Sequence, residues 1–207
     1  MGSALATRQC CHPVRDELLG LKYRRPDVCI ADSSASFELW KDGDNGTVNR
    51  ERQQQYCDTI RRSKFSLCPR GSGANSIRLF ESMQLGVAPV IIADDWLLPM
   101  GPRWADFAIF VPERRVKDVE TIVIEREADF QAMGQRARQA YNEFFADDVC
   151  FNYVVDCCLD IRDKQWLPEP LFWRWRSLAL AVEGVRRRVR LLDRIRRLGR
   201  LGRRSPA

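Results

Sequence analysis

The stretch Lys64–Ile92, KFSLCPRGSGANSIRLFESMQLGVAPVII, decides how this chain is read. Phe65 to Cys68 is a short apolar run closed by Pro69, as for a buried strand. PRGSGAN follows as a loop with two glycines and an arginine. Ser76 to Leu85 has helical spacing, with Asn75 able to cap its amino end and Gly86 placed at its carboxyl end. Ala88 to Ile92 is continuous and β-branched, as for a strand buried on both faces.

A strand, a glycine-bearing turn and a helix start bring several backbone N–H groups and a helix dipole to one point, which suits a phosphate. Gly71 and Gly73 are expected to allow close approach and unusual φ angles. Arg70 and Arg78 add positive charge in a form that grips phosphate oxygens with two bonds, and Ser72 and Ser76 add hydroxyl donors. Glu81 lies about 7.5 Å along the helix axis from Ser76, at a rise of roughly 1.5 Å per residue. That is about the distance of a ribose from its diphosphate, and a carboxylate accepting from ribose hydroxyls is a common way to hold a nucleoside. A plainer reading stays open: Arg78 and Glu81, three residues apart, could form a surface ion pair over ordinary turn glycines. The pattern is neither G-x-G-x-x-G nor a P-loop.

Outward from this stretch, strands and helices alternate. A helix from His12 leads to a strand at Val28–Ala31. A polar loop at Ser33–Asn49 carries Phe37, Leu39 and Trp40, and a helix follows over Asn49–Arg62. Beyond Ile92 come a strand at Phe107–Val111 and helices at Glu125–Phe145 and Val149–Arg162. The alternation predicts an α/β fold, a Rossmann-like parallel sheet with helices on both faces. Residues 1–13 read as a loose end, 14–163 as the lobe, 164–170 as a linker and 171–207 as a basic amphipathic helix of about nine turns. No apolar run precedes the helix at Val14 to serve as a first strand.

Composition narrows the chemistry. Hydrophobic residues make up 45% of the chain, which excludes wholesale disorder. No apolar run reaches the roughly eighteen residues of a membrane span, and no secretory leader pattern is visible. The eight cysteines contain no C-x-x-C pair and read as reduced structural thiols. His12 is the single histidine, so no zinc ligand set stands at usable spacing, and histidine-based catalysis is not expected of the globular body. The net charge is +6, yet residues 171–207 hold twelve arginines against two acids, +10, which leaves 6 − 10 = −4 for the rest. That distribution argues against nucleic acid as the lobe's partner. The tail admits packing on a protein lobe, lying on an anionic membrane surface, or binding nucleic acid or a calmodulin-like partner.

K-F-x-L-C-P-x-G, then S-x-R-x-x-E, then G-x-x-P-V-I-x-x-D and L-P occur in order from Lys64 to Pro99, and FAIFVPE follows Trp104. This series resembles the exostosin family of glycosyltransferases over roughly Val14 to Asp163, most strongly from Phe65 to Pro112. The resemblance implies a GT-B architecture, with this chain as its nucleotide-sugar-binding lobe. It implies a donor that is usually uridine-linked, a glycan acceptor, and no bound metal or other cofactor. By position, Arg78 would face the diphosphate, Arg70 to Gly73 would line it and Glu81 would hold the ribose. Asp94 would approach the sugar or cap the next turn. Family members carry an amino-terminal lobe that holds the acceptor and often the base. This chain has no room for one, so the expectation is a fragment, a truncated gene model or a degenerate copy, with no catalytic base located. Eukaryotic relatives would imply the Golgi. The alternative function is a non-catalytic lobe working through its basic helix, on a membrane or nucleic acid.

Overall fold

The computed structural model describes residues 2–6, 12–32, 46–166, 168–178 and 180–181. The loop at 33–45 and the tail beyond 181 lie outside the described residues. Five strands form one sheet: β1 (Gly2–Ala6), β2 (Val28–Asp32), β3 (Phe65–Pro69), β4 (Ala88–Ile92) and β5 (Ile109–Phe110). Their spatial order is β2-β1-β3-β4-β5 and every neighbouring pair is parallel. The α/β, Rossmann-like fold read from the sequence is the fold observed. Parallel neighbours need crossovers, and helices supply most of them: α1 (Pro13–Gly20), α2 (Gly46–Arg61) and α3 (Ile77–Gln84). After β5 come α4 (Val119–Ile124), α5 (Phe130–Phe144) and α6 (Cys150–Asp163).

The first strand corrects the expectation of a loose amino end. Gly2–Ala6 runs between β2 and β3, pairing five residues with β2 and two with β3. GSALA carries one bulky apolar side chain, so its strand character comes from its partners rather than from its own pattern.

β3 and β4 are buried throughout, and their side chains alternate between two cores. Phe65, Leu67, Ala88, Val90 and Ile92 join Val14 and Leu18 of α1 with Val116 and Val119 on one face. Cys68 and Ile91 join Leu79 and Met83 of α3, Ala137 and Ala140 of α5, Trp104 and Phe107 on the other. Burial pushes the Cys68 thiol up to about 11, so it behaves as a small apolar side chain.

α3 ends as its sequence suggests. Gly86 takes φ +74°, its N–H donates to Met83 O at 3.0 Å, and Val87 N–H donates to Ser82 O at 2.9 Å. Its amino end differs by one residue, because the cap position is Ser76 rather than Asn75, and no side chain caps it. Strand β5 is also shorter than the apolar run Phe107–Val111, since Phe107 and Ala108 leave a 3-10 turn at Trp104–Asp106.

Two compact units divide the chain, residues 1–155 and 156–207. In the second, residues 169–178 are helical, and Trp173 and Trp175 are exposed. No helix among the described residues is long and apolar enough to cross a membrane.

Candidate functional site

Parallel sheets bind ligands at the carboxyl ends of their strands, where loops lead into helix starts. Here that edge is formed by the ends of β3, β4 and β5, the loop 70–76 and the first turn of α3. Gly71 and Gly73 belong to this loop, but neither takes a positive φ; among the described residues only Gly86 and Gly101 do. The unusual backbone angles expected of them are therefore absent. Among the described residues, a Cβ on Gly71 would meet only Arg15 Nη2 at 3.6 Å, and one on Gly73 only the Asn75 side chain at 3.2 Å. Ser72 and Gly73 are exposed, and Gly71 and Ser76 half-buried.

The two arginines named from the sequence have different surroundings. Arg70 turns across the sheet edge to acids. Its Nη1 donates to Asp95 Oδ2 at 3.0 Å and to Glu113 Oε1 at 3.2 Å. Burial alone would lower its pKa, but these bonds outweigh that and raise it. Glu113 and Asp94 clasp each other: Asp94 N–H donates to Glu113 Oε1 at 3.1 Å and Glu113 N–H to Asp94 Oδ1 at 3.0 Å. The Asp94 carboxylate thus ties the chain after β4 to the chain after β5. His12 stands beside them, its Nε2 3.9 Å from Glu113 Oε2.

Arg78 stays within the helical layer. Its Nε donates to the Tyr56 hydroxyl at 3.2 Å, and its guanidinium carbon lies 5.7 Å from the Tyr56 ring centroid. The same hydroxyl donates to Glu81 Oε2. Arg78, Tyr56 and Glu81 are each half-buried, so Glu81 faces α2 rather than open solvent. Burial, the largest influence, raises the Tyr56 phenol well above its ordinary pKa, so it stays a donor.

Sequence reasoning missed two residues here. Tyr56 is the single aromatic of α2, and its position in a polar run was the available signal. Arg15, from α1, donates through Nε to Arg70 O at 2.9 Å and through Nη2 to Pro69 O at 3.2 Å. It could be foreseen only by placing α1 after a first strand. Among the described residues no group of three or more His, Cys, Asp or Glu could hold a metal ion.

Residues 22–125 match the exostosin GT47 domain. The chain belongs to the exostosin GT47 family. Tyr56, the loop 70–76, Arg78, Glu81, Asp94 and Glu113 all lie inside the matched stretch. Among its relatives is a probable beta-1,4-xylosyltransferase of Arabidopsis thaliana, IRX10L, 37% identical over 92 residues, which are 44% of this chain and 22% of that protein. A probable glucuronosyltransferase of Oryza sativa subsp. japonica, GUT1, is 36% identical over 89 residues, 42% of this chain and 21% of the relative. Another rice protein named as a probable glucuronosyltransferase is 41% identical over 78 residues, 37% of this chain and 18% of the relative. The exostosin chain therefore spans about a fifth of the length of the relatives it matches.

Proposed function

We propose that this chain is the donor-binding lobe of a glycosyltransferase, one half of a GT-B architecture. It takes a nucleoside-diphosphate sugar, uridine-linked, for transfer to a glycan hydroxyl. The observation that carries the reading is the half-buried set Arg78–Tyr56–Glu81 beside the first turn of α3, within the stretch that matches the exostosin domain. A cation beside a helix amino end suits a pyrophosphate, and an acid one turn farther suits a pentose diol.

In the transfer, the acceptor hydroxyl oxygen bonds to the anomeric carbon as the bond from that carbon to the diphosphate oxygen breaks. The nucleoside diphosphate leaves with the electron pair, and the acceptor proton passes to a base on the acceptor side. Arg78 and the α3 amino end supply positive charge where the leaving group gains negative charge. The reading assigns that work to them and gives a metal no part. Arg70, Gly71, Ser72, Gly73 and Ser76 line the approach, and Asp94 holds the loop ends together near the sugar.

Calorimetric titration with UDP, UDP-xylose and UDP-glucuronic acid tests this, the two sugars being chosen from the names of the relatives. Wild type should bind, and Glu81→Ala should weaken binding by about 1.5–3 kcal/mol, the worth of a hydrogen bond to a charged group. Absence of heat from all three nucleotides, or equal binding by the variant, would sink the proposal.

A second reading has its own observation. Trp173 is 53% and Trp175 is 68% exposed, alternating with Arg174 and Arg176, as on a helix that meets an anionic membrane surface. On that reading the lobe is a non-catalytic passenger of the tail.

A further inference from the structure

We propose that Tyr56 is a positioning residue of the nucleotide site: its hydroxyl, held between Arg78 and Glu81, sets the spacing at which those groups meet a diphosphate and the ribose attached to it. This rests on the nucleotide reading above and adds to it a residue outside the loop and helix that define the motif.

Arg78 and Glu81 share α3, but a helix fixes only their backbones. Between them the two side chains have about seven rotatable bonds, each drawing on several staggered positions. Tyr56 reaches them from α2 on a rigid ring with two torsions. That ring lies within cation–π range of the guanidinium, at 5.7 Å. Its hydroxyl accepts from Arg78 Nε and donates to Glu81 Oε2, so one oxygen holds both partners. The relay has a direction. The phenol keeps its proton, which keeps Glu81 as the acceptor. The bond draws on Nε of the guanidinium and on one oxygen of the carboxylate. A carboxylate has room for further donors, such as a ribose hydroxyl. Cation and acid are thus held at fixed separation before a ligand arrives, which lowers the ordering cost of binding both ends at once.

The test uses the full chain and Tyr56→Phe, which keeps the ring and removes both hydrogen bonds. Affinities for UDP, uridine and inorganic pyrophosphate are measured by calorimetry. Tyr56→Phe should weaken UDP on the order of tenfold, about 1.4 kcal/mol, and weaken uridine and pyrophosphate far less, because each engages only one of the two positioned groups. Arg78→Ala and Glu81→Ala should couple in UDP binding by the wild-type chain, and that coupling should vanish in the Tyr56→Phe background. A residue that only supports the fold would lower all three affinities alike and leave the coupling intact. Equal losses, unchanged UDP binding or persistent coupling overturns the proposal. Tighter UDP binding overturns it too, since the hydroxyl would then be a competitor standing where the ribose goes. If wild type binds UDP and Tyr56→Phe matches it, only the positioning role falls. If wild type binds no UDP, the nucleotide reading falls and takes this one with it.

Discussion

Gly134 sits inside α5, where alanine would ordinarily be the better helix former, and Gly134→Ala is the substitution that best tests how the site is seated. A Cβ at Gly134 would lie 2.3 Å from Gly86 O and 3.3 Å from Gly86 C. The first distance is more than ~1 Å inside the range of ordinary van der Waals contact. Both colliding atoms are backbone, at the turn between α3 and β4, and Gly86 there is held at φ +74° by the hydrogen bonds that end α3. Neither side can yield by rotating a side chain. Overpacking of this kind costs roughly 1–3 kcal/mol, and rigid backbone on both sides places this case at the upper end. Better helix propensity returns about 1 kcal/mol. The net is about 2 kcal/mol of destabilisation, or a fall in Tm of about 4–8 °C for a lobe of this size. α5 backs α3 through Ala137 and Ala140 against Leu79 and Met83, so the displacement should reach Arg78 and Glu81 and weaken UDP binding as well. Calorimetric melts read the first effect and nucleotide titration the second. Gly20→Ala is the control, because an added Cβ there has nothing within 4 Å among the described residues. A Gly134→Ala protein that melts at or above the wild-type temperature would refute the packing argument.

Arg70→Ala should destabilise the lobe by about 1–3 kcal/mol, chiefly for the Glu113 carboxylate left unpaired, since Asp95 is 80% exposed, and change UDP affinity less than Arg78→Ala does; titration and melts on both variants compare them. Acid should loosen the opposite edge of the sheet. Hydrogen bonds from Arg25, then from Lys64, hold Glu127 down to about 2 against an ordinary 4.5, and the Arg25 hydrogen bond holds Asp27 down to about 2 against 3.8. Both carboxylates are depressed in the folded state, so their contribution is full above about 4.5 and is lost as the pH falls toward 2. Tm measured against pH should drop through that window, and less steeply in Glu127→Gln. Trp104, 5% exposed with Nε1 donating to Pro99 O at 2.9 Å, should cost roughly 3–5 kcal/mol when replaced by alanine, measured by urea unfolding. Deleting residues 171–207, which carry +10, should abolish salt-sensitive binding to anionic vesicles in a sedimentation assay.

What could be read from the sequence was what one segment decides by itself. β3 and β4 announce themselves because a strand buried on both faces must be apolar throughout. The end of α3 announces itself because only glycine turns there without strain. β1 did not, since Gly, Ser and Ala in five residues give no periodic signal and the strand exists through pairing with β2 and β3. The same division runs through the site. Arg78 and Glu81 were legible as a pair because one helix sets their spacing. Tyr56, which joins them, is 22 and 25 residues away from its partners and comes from another helix. Asp95 and Glu113 lie 25 and 43 residues from Arg70, so the acids that engage it could not be inferred from the loop.

This difference in partners assigns different work to two arginines eight positions apart. Arg70, 14% exposed, faces Asp95 and Glu113, and Glu113 is also clasped to the backbone of Asp94. Arg70 is thus committed to carboxylates, and a pyrophosphate brought there would compete with them for it. Arg78 reaches Glu81 through a neutral phenol, beside the start of α3. The helix dipole adds positive potential at that end, and the uncapped N–H groups point the same way. On the proposed reading, an anion arriving at the strand ends would be drawn to the α3 side of the loop, while Arg70 ties the ends of β3, β4 and β5 together. Arg70 and Arg78 stand on either side of one loop, and on that reading the groups across from each determine what it does.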